Sequence, residues 1–108
     1  MEQKQAVVVL AHGFEEIEAV TIIDVLRRAE IEVSVAGLPG SGDTVAGAHG
    51  ISIAVDVALS QVDVEQADLV ALPGGMPGAR NLADSPDVRT FVTAVHEKGG
   101  IVAAICAA

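Results

Sequence analysis

The hydrophobic residues of this chain fall into short apolar runs and longer amphipathic stretches. The short runs, continuous or alternating and rich in β-branched residues, predict buried strands. They are 6–11, 31–36, 68–72 and a run from 101 that leads into Cys106. The amphipathic stretches repeat at helical spacing and predict helices at 15–29 and 87–98. Strands that alternate with helices predict an α/β fold with a doubly wound, mostly parallel sheet.

Local signals at the ends of these stretches support the assignment. Ser85 followed by proline is typical of a helix start, and Gly99-Gly100 ends that helix. The apolar run after Gly99-Gly100 predicts a central strand that is covered on both faces. The segments 45–49 and 51–55 flank Gly50 and predict a short hairpin or a bend with His49 at its tip.

Composition limits the classes of function. The chain has 108 residues, 51% hydrophobic and 19% charged, which indicates one folded domain. Its net charge of -9 argues against nucleic acid and anionic membranes as partners. No apolar run is long enough to span a bilayer, the polar start lacks a secretory pattern, and a single cysteine forms no intrachain disulfide. We expect a cytoplasmic protein.

Cys106 is the first candidate for chemistry, because ligand crevices of parallel sheets lie at the carboxyl ends of strands. If a helix followed, its N-terminal amides would stabilise a thiolate at Cys106. The alternative is an inert core cysteine, since free cysteine is often buried.

Three early glutamates, Glu15, Glu16 and Glu18, lie where a helix N-terminus favours anions. For Glu15 and Glu16 we favour that role alone. Glu18 lies at the border of the apolar stripe, where it could also face Cys106 as a proton donor or acceptor. The pattern leaves both roles open for Glu18.

The Leu72 strand ends in the glycine-rich turn 73–78, which could bring backbone amides to a ligand or serve a tight turn only. It lacks the spacing of a phosphate-binding loop. Of the histidines, His12 could border the crevice and His49 lies in a turn, so either could pair with Cys106, although neither is placed as a base. No zinc-binding spacing occurs, and we expect no metal and no cofactor.

Five segments together resemble the DJ-1/ThiJ/PfpI superfamily, and most closely its DJ-1-like branch. They are 13–20, 24–29, 35–37, 68–75 and 103–108. No single segment is specific, but five in register are, and they cover nearly the whole chain. The resemblance implies a flavodoxin-like fold.

The resemblance also implies roles for individual residues. Cys106 matches the family's reactive, easily oxidised cysteine, and Glu18 matches the acid that hydrogen-bonds it. Gly75, in the Gly74-Gly75 turn, and Ala107 match positions whose backbone amides face a substrate oxygen. The implied activity is that of a glutathione-independent glyoxalase or a deglycase acting on reactive α-oxoaldehydes, with Glu18 as proton relay. The alternative is a non-catalytic sensor of oxidative stress, or a chaperone, in which Cys106 is oxidised to the sulfinate.

Two departures from the resemblance shape further expectations. Where close relatives carry Ser-Arg-Gly, this chain reads Ala48-His49-Gly50, which puts an interface contact of the arginine in doubt. Family members also continue well past the cysteine. We therefore expect residues 1–108 to be the N-terminal portion of a single domain that a separate chain or segment completes, and the isolated portion to be inactive. The resemblance further implies a homodimer with helix 15–29 at the interface.

Overall fold

The computed structural model describes residues 3–105. Its strands are β1 (Gln5–Leu10), β2 (Glu32–Gly37), β3 (Thr44–Ala46), β4 (Ser52–Ala54), β5 (Val57–Ala58), β6 (Leu69–Leu72) and β7 (Ile101–Ala104). Its helices are α1 (Glu16–Arg28), α2 (Gly78–Ala83) and α3 (Pro86–Glu97). Two single-turn 3-10 helices, Leu59–Gln61 and Val64–Gln66, follow β5.

Five strands form a parallel sheet in the order β5-β2-β1-β6-β7, with β1 at the centre. Successive side chains of a strand point to opposite faces of the sheet. Val8 accordingly packs in one cluster with Ile23 of α1, and Val9 packs in the other with Phe91 of α3. The predicted α/β fold with a mostly parallel sheet between helices is confirmed.

β7 lies at the edge of the described sheet and not, as its apolar run predicts, at the centre. It pairs with β6 on one side, with Leu72 opposite Ala104. Ile101 is 61% exposed, and Val102 and Ile105 are each 38% exposed. An apolar run indicates that a strand favours burial, but it does not specify which segment packs beside it; within residues 3–105, the paired neighbour of β7 is β6.

The segments between the main elements are partly as expected. Of the two predicted alternatives, a hairpin or a bend, the structure has the hairpin: β3 and β4 are antiparallel, with Val45 opposite Ile53, and His49 lies in the connecting turn. The sequence pattern does not predict α2, which has only six residues and so is too short to show a helical period. Its Ala79 and Leu82 are buried, so packing stabilises this helix.

α1 has one buried face and one apolar exposed face. Ala19 and Ile23 are buried against the sheet, whereas Ile17 is 77% exposed and Val20 is 48% exposed. In the part of the chain that the structure describes, no helix has both the length and the apolar character needed to cross a membrane.

The start of α3 offers a direct test of its predicted cap. Ser85 Oγ accepts a hydrogen bond from the Val88 amide at 3.3 Å. We expect Ser85→Ala to lower the free energy of unfolding by about 1 kcal/mol, since that amide loses its acceptor. Urea unfolding measures the change, with Thr90→Ala on the exposed side of α3 as the matched control. Equal effects of the two substitutions would contradict the capping role.

Candidate functional site

Three strand ends meet at one edge of the sheet, because β1, β6 and β7 are parallel neighbours. The segment 11–15 follows β1, and the turn 73–78 follows β6. Beside them, the Ile105 amide donates to the Leu72 carbonyl at 3.1 Å. Ile105 immediately precedes Cys106 in the chain, and Cys106 and Ala107 themselves lie outside the described residues.

Glu18 reaches from the first turn of α1 to the turn after β6. Its Oε1 accepts a hydrogen bond from the Gly74 amide at 2.8 Å, and the residue is half-buried. The carboxylate is therefore held at the sheet edge where the three strand ends meet. The bond joins Glu18 to another element and not only to its own helix, whereas its role opposite Cys106, which lies outside the described residues, stays a prediction.

Gly74 and Gly75 are packed backbone to backbone against the segment before α1. The Gly74 carbonyl accepts from the Glu15 amide at 2.8 Å. Gly75 has a φ of 96°, and a Cβ there would lie 2.4 Å from the Glu15 nitrogen. Close packing thus explains the glycine at position 75. The Gly74 amide is engaged by Glu18, whereas the Gly75 amide donates to no other described residue and is the available donor of the pair.

His12 lies on the first of these loops with an exposed side chain. Its backbone carbonyl accepts a hydrogen bond from Asn81 Nδ2 at 2.9 Å, so α2 helps to hold the loop after β1. Sequence reasoning does not identify Asn81, since a single asparagine carries no local signal for a contact 69 residues away.

Glu16 corrects an expectation, because it does more than favour the helix dipole. It is only 5% exposed, and it is the buried charged residue of the described chain. Its Oε2 accepts from the His49 amide at 2.7 Å and from the Ile51 amide at 3.2 Å, and its Oε1 lies 2.9 Å from His49 Nδ1. A Cβ at Gly47 would lie 2.4 Å from the Glu16 carboxyl carbon, so glycine makes room for this side chain.

These contacts shift the titration of both partners. Burial of Glu16 opposes its ionisation, but the hydrogen bonds from the His49 ring and from backbone amides outweigh it and lower the pKa from 4.5 to about 2. The hydrogen bond to Glu16, and then the negative charges of Glu16 and Glu15, raise the pKa of His49 above 6.5. His49 is thus paired with Glu16, and this pairing favours the charged form of its ring.

Glu15, Glu16 and His49 also present oxygen or nitrogen atoms within 4.8 Å of one another. Glu15 Oε1 lies 4.0 Å from His49 Nδ1 and accepts from the Ile17 amide at 3.3 Å. Both oxygens of Glu16 already accept hydrogen bonds, from the His49 amide and the His49 ring, and a cation would have to displace these donors. We therefore describe the group as an ion pair and not as a metal centre.

Comparison with known proteins identifies one family. The model of the DJ-1/PfpI family matches residues 4–108. Protein dj-1beta of Drosophila melanogaster is 44% identical over 105 residues, which cover 97% of this chain and 56% of that protein. A Caenorhabditis elegans protein named glutathione-independent glyoxalase DJR-1.2 is 38% identical over 106 residues, covering 97% of this chain and 55% of that protein.

Solved structures show the same fold. The structure of oxidised Toxoplasma gondii DJ-1 superposes with a TM-score of 0.90 at 41% identity, covering 96% of this chain and 56% of that one. The chain therefore spans little more than half the length of these relatives.

Proposed function

Because this chain belongs to the DJ-1/PfpI family, we propose that it carries the cysteine and the acid of an enzyme that acts on reactive α-oxoaldehydes without glutathione. The observation that carries the proposal is the bond from the Gly74 amide to Glu18, which holds a carboxylate at the sheet edge towards which β7 leads. A relative that bears the name of a glutathione-independent glyoxalase supports it.

Cys106 is the proposed nucleophile. Its thiolate adds to the aldehyde carbon of methylglyoxal and, with a proton, forms a hemithioacetal. Glu18 then takes the proton from that carbon and returns a proton to the neighbouring carbon, which converts the adduct into a lactoyl thioester. Water cleaves the thioester, releases lactate and restores the thiol, so the reaction consumes one water and no external oxidant.

In the proposed mechanism, the turn after β6 stabilises the negative charge that develops on the substrate. Negative charge develops on the substrate oxygen during thiolate addition, and backbone amides that already point there stabilise it. The Gly75 amide is the available donor in the described part of the turn, since the Gly74 amide already bonds Glu18. Ala107 is proposed as the second donor.

Glu18→Gln tests the role of the acid. Glutamine retains an oxygen that can accept from the Gly74 amide but cannot take up the substrate proton, so we expect kcat to fall by about 10²–10⁴-fold with little change in KM. Production of lactate from methylglyoxal without glutathione, followed by proton NMR, measures it. Glu97→Gln, an exposed glutamate at the end of α3, is the matched control. Undiminished lactate production by Glu18→Gln would refute the assignment.

Completion of the site by further polypeptide is part of the proposal. The chain covers 55% and 56% of the two relatives, and β7 exposes Ile101 and Val102. We propose that another segment or chain covers this strand and that activity requires it. A denaturing intact-mass spectrum of active protein should show either a companion polypeptide or a longer chain. Activity in a sample that contains only the 11.0 kDa species would contradict this.

The proposed assembly is a cytoplasmic homodimer. Support comes from the exposed apolar face of α1, which includes Ile17 and Val20. Burial of such a face stabilises association by removing apolar surface from water.

The second candidate function is a non-catalytic redox sensor or chaperone in which Cys106 is oxidised, whereas a deglycase would be a variant of the enzyme proposed above. The specific observation in favour is that the Toxoplasma gondii relative has been solved in an oxidised form. In a sensor, two oxygen atoms from peroxide would add to the Cys106 sulfur to form the sulfinate, with peroxide reduced to water. Oxidation of this kind in the completed protein, without any lactate production, would favour the sensor over the enzyme.

A further inference from the structure

The first turn of α1 is where two loops meet. The turn after β6 bonds to it through Glu15 and Glu18, and the turn between β3 and β4 bonds to it through Glu16. Glu16 and Glu18 are thus two residues apart on one helix, and each carboxylate is held by a different loop.

We propose that Glu16 and His49 are positioning residues, whose ion pair ties the β3–β4 turn to the start of α1 and thereby holds Glu18 against Gly74. The effect on turnover rests on the proposed function of Glu18. The Glu16–His49 ion pair itself is a contact between described residues and does not depend on that function.

Glu16 differs from a surface ion pair because its carboxylate is buried and hydrogen-bonded to several donors of the β3–β4 turn. The carboxylate is buried and accepts from three donors, two of them backbone amides of the turn. The turn adds two further bonds to this region, from the Ala48 amide to the Phe14 carbonyl at 2.8 Å and from the Gly13 amide to the Ala46 carbonyl at 2.9 Å. Because a buried carboxylate needs all its partners, loss of one donor weakens the whole junction.

Glu16 is mechanically connected to Glu18 because both residues lie in the first turn of α1. Glu15 precedes Glu16 and donates its amide to the Gly74 carbonyl, while the Gly74 amide donates to Glu18. Gly74 is therefore held from both sides by residues that flank Glu16. A shift of Glu16 moves both of these partners, since consecutive residues of a helix share one rigid backbone.

The strength of the Glu16–His49 ion pair depends on pH, because His49 titrates. In residues 3–105, the charged groups that face its ring are Glu15 and Glu16, both at the start of α1. The raised pKa of His49 means that its stabilising contribution is complete below pH 6.5 and is lost as the pH rises through that pKa. The lowered pKa of Glu16 means that its contribution is complete above pH 4.5 and is lost as the pH falls through about 2. The Glu16–His49 ion pair therefore stabilises the junction most between pH 4.5 and 6.5.

Exchange of the Gly74 amide with deuterium is the direct readout, since that amide is protected by Glu18 and takes no part in the chemistry. After division by the intrinsic exchange rate at each pH, we expect its protection to decrease as the pH rises through the titration of His49. Protection should fall by the same factor by which the contact with Glu16 strengthens proton binding at His49, because the two equilibria are linked.

The variants separate charge from structure. His49 is exposed, so His49→Gln should fold and should show low protection at every pH. His49→Arg keeps the charge at all pH values and should restore protection without its pH dependence. Gly47→Ala displaces the Glu16 carboxylate without changing a titratable group and should act like His49→Gln. His96→Gln, an exposed histidine on α3, is the matched control and should behave like the unsubstituted protein.

The two proposals fail in different ways. Protection of Gly74 that is unchanged in His49→Gln and independent of pH would overturn the positioning role, whatever the turnover. Protection that follows the titration of His49, in protein that has been completed by the remaining segment but produces no lactate, would support the positioning role and count against the proposed enzyme. Where lactate is produced, kcat should follow the protection of Gly74 in these variants, with KM little changed.

Discussion

Replacing Cys106 with alanine should reduce the production of lactate from methylglyoxal by roughly 10⁴-fold or more, to the level of the uncatalysed reaction. Without the thiolate neither the hemithioacetal nor the thioester forms, so Glu18 has no covalent adduct on which to transfer a proton. Proton NMR of lactate in the absence of glutathione measures the loss, in protein that includes the completing segment. Cys106→Ser should be nearly as inactive, because a serine hydroxyl stays protonated near neutral pH.

Controls for Cys106 must separate chemistry from folding. Thermal unfolding of Cys106→Ala should match that of the unsubstituted protein, which would show that the loss is chemical. Glu97→Gln, far along α3, should retain full activity. Residual activity above one tenth in Cys106→Ala would exclude Cys106 as nucleophile. Mild peroxide followed by mass spectrometry then tests the sensor, which predicts a gain of two oxygen atoms on Cys106 and no turnover in any variant.

Gly75→Ala should lower the free energy of unfolding by about 3 kcal/mol, the largest effect we expect from one added methyl group. Two separate penalties combine. The φ of 96° is unfavourable for any residue with a Cβ, and that Cβ would lie 2.4 Å from the Glu15 nitrogen, where no flexible side chain can move aside. The substitution should also reduce turnover, because the Gly75 amide is the proposed oxyanion donor.

Gly40→Ala is the matched control for Gly75→Ala. Gly40 has a φ of 83°, but no heavy atom lies within 4 Å of the position that a Cβ would take. This substitution therefore carries only the backbone penalty, about 1 kcal/mol. Urea unfolding of both variants isolates the steric part as the difference between them. Equal destabilisation would contradict the close contact between the turn after β6 and the start of α1.

The main elements could be predicted because their signals are local. An apolar run predicts β1, and helical spacing with glutamates at one end and arginines at the other predicts α1. Since parallel strands and helices follow each other in order, the fold class and the shared edge of the strand ends follow as well. α2 has no comparable signal, because six residues are too few for a period to show.

Contacts between distant segments could not be predicted in this way. Glu16 and Glu18 both lie in an acidic first turn, and the sequence offers no reason to separate them. The partner of Glu18 is Gly74, 56 residues away, and the partner of Glu16 is His49, 33 residues away. Helical spacing determines which face a residue occupies but carries no information on which loop will pack there.

An acidic α/β domain, the order of its main strands and helices, and Cys106 and Glu18 as candidates for chemistry could all be predicted along the chain. These follow from composition, short-range periodicity and recognisable segments, all of which are readable along the chain. Three features emerge only in the folded chain: Glu18 bonds Gly74, Glu16 is buried against the β3–β4 turn, and β7 lies at the edge of the described sheet. Each of these depends on the packing of residues that are far apart in sequence, and close packing and hydrogen bonding are settled only when those residues meet.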